Sequence, residues 1–401
     1  MFSYFEKEVG MFLKDVLVTA SALVGGTEKL TSRFGVGMFL PRLFKLRYSN
    51  MGGLDPGEFE RQMSGLRSFR ESTWCGYWNG FAADYEDRGR KCLEGGDVEK
   101  GVDSLIKAIT YYTVSAFPGH TPKRMEAYWK ARELFEETFH LLDDKMEKHV
   151  IEAGGEKVEG YIRLPSREGK YPMVIVTNGL EGTVQELAHP LLAYRDAPIG
   201  VYLMEMPGTY AYEKPMGPQS EEVYHGVIEA LSRHPNVDPD RIAMVGTSFG
   251  GYWSARMAAR SDRLACAVVS GAPLAYAFGL SNSWGTPEIF IEALLKVTGA
   301  GSLAELRRKL SELSFDRDPG LWRPGIPVLV LNGDDDTLLG TRDSILLATR
   351  APRGFLKLYE NDDHCAMGHY REWLDLTFEW LSLHLSPAGR TRDKSSAFPG
   401  T

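Results

Sequence analysis

Arg241-Ile-Ala-Met-Val-Gly-Thr-Ser-Phe-Gly-Gly251 is the stretch that decides the fold of this 401-residue chain. Its first half is a short apolar run, the kind buried on both faces of a parallel sheet, and a helical pattern follows over 251–260. Between them lies Gly246-Thr247-Ser248-Phe249-Gly250, a G-x-S-x-G pentapeptide. A strand that feeds directly into a helix must turn sharply there, which strains the backbone of the central serine and demands small residues two positions away on either side. Gly246 and Gly250 meet that demand. The turn also sets Ser248 at the positive end of the next helix, where developing negative charge is stabilised. The plain alternative is a tight turn without chemistry.

Outward from this stretch the same strand texture recurs at 173–177, 201–204, 265–269, 328–331 and 356–359, with helical patterns such as 221–233 and 371–383 between many of the runs. That alternation predicts a doubly wound, mostly parallel α/β sheet. Residues 149–151 and 158–164, joined across Gly154-Gly155, read as a hairpin ahead of it. The segment 275–324 is too long for a plain crossover and reads as a helical cap insertion. Before the sheet domain, assigned to 144–385, residues 1–143 carry a three-to-four apolar spacing punctuated by Gly52-Gly53, Gly95-Gly96 and Pro118-Gly119, which predicts an all-helical N-terminal domain. The tail 386–401, rich in Ser, Gly, Pro and charge, is expected to be disordered.

Composition narrows the function. With 43% hydrophobic and 25% charged residues the chain is an ordinary globular one. Lys and Arg number 46 against 54 Asp and Glu, a net charge of −8 with no polybasic run, so neither nucleic acid nor an anionic membrane surface is an expected partner. Residues 16–26 are uncharged, yet too few for the about 20 that span a bilayer. The mixed charges before them do not resemble a basic leader, so a cytoplasmic location is expected. Cys75, Cys92, Cys266 and Cys365 form neither a disulfide framework nor a C-x-x-C pair, and reduced thiols are the simplest reading.

A serine hydroxyl needs a base, and the base needs an acid. The run 328–333 opens into Asp334-Asp335-Asp336, where Asp336 is assigned as the acid, with Asp335 as the alternative. The last strand ends in Glu360-Asn-Asp-Asp-His364, and of the nine histidines His364 alone has this setting after a strand, so it is assigned as the base. His364, Cys365 and His369 lack a second cluster to complete a metal site, so no metal and no cofactor is expected. Two backbone N–H groups would receive an oxyanion: that of Phe249, and that of Leu180 within Asn178-Gly179-Leu180-Glu181-Gly182. Glu181 is a candidate contact for a polar group of the substrate. Trp74, Tyr77 and Trp78 are expected to roof the pocket, with packing inside the helical domain as the plain alternative.

Taken together, the helical N-terminal domain, the N-G-L-E-G turn at 178–182, Asn236-Val-Asp-Pro-Asp-Arg241, G-T-S-F-G-G at 246–251 and Asp363-His364-Cys365 resemble one branch of the α/β hydrolases over residues 70 to 385. That branch includes the fermentation/respiration-switch-like esterases, 2,6-dihydroxypseudooxynicotine hydrolase and the fungal melanin-pathway hydrolase that shortens a naphthopyrone. The resemblance implies a Ser-His-Asp site between helical domain and sheet, no cofactor, often a homodimer, and a small acyl or ketone substrate. The bond cut would be an ester or a carbon–carbon bond beside a ketone, as in an acylated polyphenol or polyketide-like chain, with the resemblance leaning to the ketone. Two other readings keep the fold: an acyltransferase or cyclase using the same site, and a non-catalytic switch-type regulator. The presence of Ser248 favours an enzyme.

Overall fold

The computed structural model describes residues 27–38, 40, 42–279 and 288–387. The uncharged stretch 16–26, residues 280–287 of the cap and residues 388–401 of the tail lie outside the described residues.

Among the described residues six helices come first: α1 (Thr27–Phe34), α2 (Arg42–Gly52), α3 (Pro56–Gly65), α4 (Glu71–Glu94), α5 (Val98–Ala116) and α6 (Pro122–Leu142). Their starts follow from local chemistry. Asp55 caps α3 by accepting the Glu58 N–H, Asp97 caps α5 by accepting that of Lys100, and Pro56 and Pro122 open α3 and α6, where a missing N–H does no harm.

Eight strands follow: β1 (Met146–Ala153), β2 (Glu156–Arg163), β3 (Tyr171–Thr177), β4 (Gly200–Met204), β5 (Val237–Thr247), β6 (Leu264–Ser270), β7 (Val328–Gly333) and β8 (Gly354–Tyr359). They form one sheet in the order β1-β2-β4-β3-β5-β6-β7-β8. The β1–β2 and β2–β4 pairs are antiparallel and the others parallel. Gly154 and Gly155 turn the β1–β2 hairpin at φ 60° and 70°, as a two-residue turn with the twist of the strands requires. Between strands stand α7 (Val184–Leu191), α8 (Glu221–Ser232), α9 (Phe249–Arg260), α10 (Glu288–Thr298), α11 (Leu303–Leu313), α12 (Arg342–Arg350) and, last, α13 (Tyr370–His384).

Because successive strand residues point to opposite faces, the sheet separates two cores. Val174, Val176, Val201, Leu203, Val245 and Val268 face a core that runs on without a break into Phe44, Trp74 and Trp78 of the helical segment. Met173, Ile175, Met204, Met244, Ala267 and Val330 face the other, with Tyr224, Tyr252 and Trp253. The helical segment is thus fused to one face of the sheet through a shared core.

The described part of the segment between β6 and β7 carries α10 and α11 joined by short turns. The Asp343 carboxylate at the start of α12 accepts the N–H groups of Leu274, Ala275, Tyr276 and Ala277, fixing the direction in which the chain leaves β6. The cap meets the helical segment where Phe290 packs on Phe117, with ring centroids 5.8 Å apart. Among the described residues no helix is long and apolar enough to cross a membrane.

Candidate active site

The candidate residues Ser248, Asp336 and His364 follow the carboxyl ends of the parallel strands β5, β7 and β8, where ligand sites in such sheets generally lie. β5 runs into Ser248, whose backbone sits at φ 55°, ψ −123°, and α9 begins at the next residue. The glycines beside it are sterically obligatory. A Cβ on Gly246 would stand 2.0 Å from Gly250 O, and one on Gly250 would stand 2.4 Å from Thr177 O. Ser248 N–H is tied to Ser270 O at 2.7 Å, and the side chain remains partly exposed.

His364 follows β8 and reaches over the end of β5. Its Nδ1–H donates to Asp336 Oδ2 at 2.8 Å, which leaves Nε2 to accept from Ser248 Oγ–H at 3.1 Å. Asp336 is buried and receives three further donors: Leu338 N–H at 3.0 Å, Leu339 N–H at 2.8 Å and Asn332 Nδ2 at 2.9 Å. Burial alone would raise the Asp336 pKa, but the His364 charge and these hydrogen bonds outweigh it and bring it down to about 2. Burial likewise works against the charged form of His364, and Asp336 more than reverses this, holding the imidazolium well above the ordinary histidine range. Asp334 and Asp335 are exposed, so it is Asp336 that faces His364.

Two residues that sequence reasoning passed over hold this arrangement. Asn332, the penultimate residue of β7, donates to Asp336 and accepts the N–H groups of Gly333 and Cys365 at 3.0 Å each, locking the acid and histidine loops together. Asp362 accepts His369 N–H at 3.0 Å and His369 Nδ1–H at 2.9 Å. It thereby braces a turn in which Cys365 and Ala366 both take left-handed backbones, φ 58° and 47°. Only the polarity of Asn332 at the end of an apolar strand hinted at its role. His369 is engaged by Asp362, and among the described residues no group of three or more His, Cys, Asp or Glu side chains is placed to hold a metal ion.

The Asn178–Gly182 turn lies against the serine: a Cβ on Gly179 would stand 2.8 Å from Ser248 Cβ. The N–H groups of Leu180 and Phe249 therefore belong to the two segments that flank Ser248, and both residues are buried. Glu181 lies beside Arg47 of α2, with Nη1 to Oε2 at 3.8 Å and its side chain 12% exposed. Burial raises its pKa to about 7, with Arg47 opposing the rise.

The aromatic trio is placed elsewhere than expected. Trp74 and Trp78 are fully buried in the helical core, packed on Phe44, Phe59, Phe69 and Phe117. Trp74 Nε1 donates to Val114 O at 2.9 Å, and Tyr77 OH donates to Gln62 O at 2.7 Å. Their rings are spent on joining α3, α4 and α5, and the pocket-roof expectation gives way to helical packing. Helical periodicity cannot tell an inward-facing wall from a core.

Comparison with known proteins matches the profile of FrsA-like esterases to residues 61–386. The chain belongs to the FrsA-like esterase family. Among relatives of this family member, 2,6-dihydropseudooxynicotine hydrolase of Paenarthrobacter nicotinovorans is 26% identical over 303 residues, 74% of this chain and 80% of the relative. Esterase FrsA of Vibrio cholerae is 25% identical over 300 residues, 71% of this chain and 70% of the relative. The crystal structure of 2,6-dihydroxy-pseudo-oxynicotine hydrolase superposes with a TM-score of 0.73 at 21% identity, covering 88% of this chain and 99% of that one. AbyA5 superposes with a TM-score of 0.67 at 19% identity over 85% of this chain and 95% of that one. The FrsA-like chain is accordingly a hydrolase with the α/β-hydrolase fold.

Proposed function

We propose that this family member is a serine hydrolase that works through an acyl-enzyme. The observation that carries the proposal is the chain of contacts from Asp336 Oδ2 through His364 to Ser248 Oγ, at 2.8 and 3.1 Å. His364 takes the proton as Ser248 Oγ attacks a substrate carbonyl, Asp336 stabilises the imidazolium, and the N–H groups of Leu180 and Phe249 receive the oxyanion. His364 then returns the proton to the leaving group, and water, activated by the same imidazole, releases the acid. Labelling with a fluorophosphonate tests this: the native chain should be modified at Ser248 and Ser248→Ala should not. An unlabelled native protein would overturn the proposal.

An ester needs nothing more, because an alkoxide leaves with the proton from His364. A carbon–carbon bond beside a ketone demands an acid for the departing carbon, and Glu181, held partly protonated near neutrality by burial, supports that second reading. Turnover of an acylated polyphenol in deuterated water should then place one deuterium on the carbon that lost the acyl group. Rapid cleavage of aryl and alkyl esters with every acylphenol and β-diketone left intact would leave plain ester hydrolysis as the activity.

A further inference from the structure

We infer that Arg47 and Tyr210 are positioning residues that clamp the turn carrying the Leu180 N–H, making the helical segment a working part of the catalytic centre. The inference rests on the serine-hydrolase proposal above and adds a role to residues outside the Ser-His-Asp relay.

Within the turn one backbone bond runs from Gly182 N–H to Gly179 O at 3.2 Å, and Asn178 Nδ2–H donates across it to Thr183 O at 2.8 Å. Neither bond holds the Glu181 carbonyl, which is fixed from outside. The Glu181 carbonyl has two lone pairs, and both are taken: Arg47 Nη2–H donates at 2.7 Å and Tyr210 OH donates at 2.8 Å. The same guanidinium grips the first turn of α7 through Glu186, with Nε to Oε1 at 2.8 Å and Nη2 to Oε2 at 2.7 Å. Glu186 in turn accepts the Thr183 N–H at 3.0 Å. One planar fork therefore fixes the turn and the start of the helix behind it relative to each other, a task for which the single ammonium of lysine has the wrong shape.

Both clamps lead back to the helical segment. Arg47 sits on α2. Tyr210, in the loop after β4, takes a left-handed backbone at φ 42°, and its ring stacks on Tyr128 of α6 with centroids 4.5 Å apart. Side chains of Arg47 and Glu186 are only 13% and 3% exposed, so this is a buried pair whose geometry is held by packing. An ion pair that served stability alone would have no reason to end on the carbonyl of a turn pressed against the nucleophile. Oxyanion donors act through their placement, since they must already stand where charge will develop.

The test measures kcat and KM for p-nitrophenyl butyrate, the rate of fluorophosphonate labelling, the melting temperature and amide hydrogen exchange over 178–183, all on the full chain. Tyr210→Phe deletes one hydrogen bond and keeps the stacked ring; Arg47→Lys keeps the charge and loses the fork. Each should lower kcat and the labelling rate by roughly 10-fold with KM changed less than about 2-fold, and speed exchange in the turn. The double variant should lose less than the product of the two, because both act on one carbonyl. Should Arg47→Lys fail to fold, Tyr210→Phe decides alone. Unchanged kcat and labelling in folded variants, or a loss that merely follows the unfolded fraction, overturns the clamp. A native protein that is itself unlabelled overturns the nucleophile and the clamp together, whereas a labelled native protein with equally fast variants overturns the clamp alone.

Discussion

Replacing Asp336 by Asn changes one atom, and the structure says why that change is severe. The carboxylate uses Oδ1 to accept Leu338 and Leu339 N–H groups and Oδ2 to accept Asn332 Nδ2 and His364 Nδ1. An amide has one acceptor oxygen. If it serves the two backbone donors, its NH₂ meets the Asn332 amide donor and drives the proton of His364 from Nδ1 to Nε2, where it cannot accept from Ser248. If it serves His364, the NH₂ confronts two backbone N–H groups. The loss in kcat should be roughly 10⁴-fold, as for the corresponding change in serine proteases. Stability falls as well. The pKa of Asp336 is lowered from 3.8 to about 2, which corresponds to about 2 kcal/mol at neutral pH. A lowered carboxylate pKa stabilises the fold above the unfolded value, so this contribution is present from about pH 4 upward and disappears as pH falls through 2. With roughly 2.1 cal/mol/K of unfolding entropy per residue, 401 residues melting as one would lose about 2–3 °C. Ester turnover and a thermal melt at pH 7, with Asp334→Asn and Asp335→Asn as exposed controls, check both numbers. An active Asp336→Asn beside an inactive Asp335→Asn would refute the assignment of the acid.

The acid limb of kcat/KM should lie above the ordinary imidazole range, because Asp336 raises the His364 pKa, and should move to lower pH in Asp336→Asn; a pH–rate profile of both shows it. Asn332→Ala should reduce kcat by more than 10-fold and destabilise by about 1–3 kcal/mol, since the N–H groups of Gly333 and Cys365 lose their acceptor in a buried site; turnover and denaturant titration measure the two effects. Trp74→Ala should destabilise by about 3–5 kcal/mol with KM unchanged in the folded fraction, the outcome for a core residue rather than a pocket wall.

Much of this was legible in the sequence because the signals were local. The strand runs, the glycines around Ser248 and the acidic residues that follow β7 and β8 each mark their element from within a few neighbours, and the parallel sheet and the meeting of Ser248, Asp336 and His364 follow from strand order. What stayed hidden depends on contacts distant in the chain. Arg47 and Glu181 are 134 positions apart, and nothing in either neighbourhood marks them as partners. Trp74 and Trp78 misled for the converse reason: their spacing announces a buried helix face without saying what is buried against it. Asp336 was separable from Asp335 by its place in the loop, but only the hydrogen bonds to Leu338, Leu339 and Asn332 show why one is enclosed and the other exposed.

The backbone of Ser248 has a consequence for anyone who tries to stabilise this protein. At φ 55°, ψ −123° a residue with a Cβ is strained by about 1–3 kcal/mol, and only glycine adopts that region freely. Glycine gives back part of the gain through its looser unfolded chain, about 0.4–1 kcal/mol. Ser248→Gly should therefore raise the midpoint of denaturation while abolishing turnover, so that a library selected for thermal resistance alone would be enriched in inactive chains at this position. Selection for stability has to be coupled to turnover here, because the backbone that presents the nucleophile is the one the folded state would most readily relax.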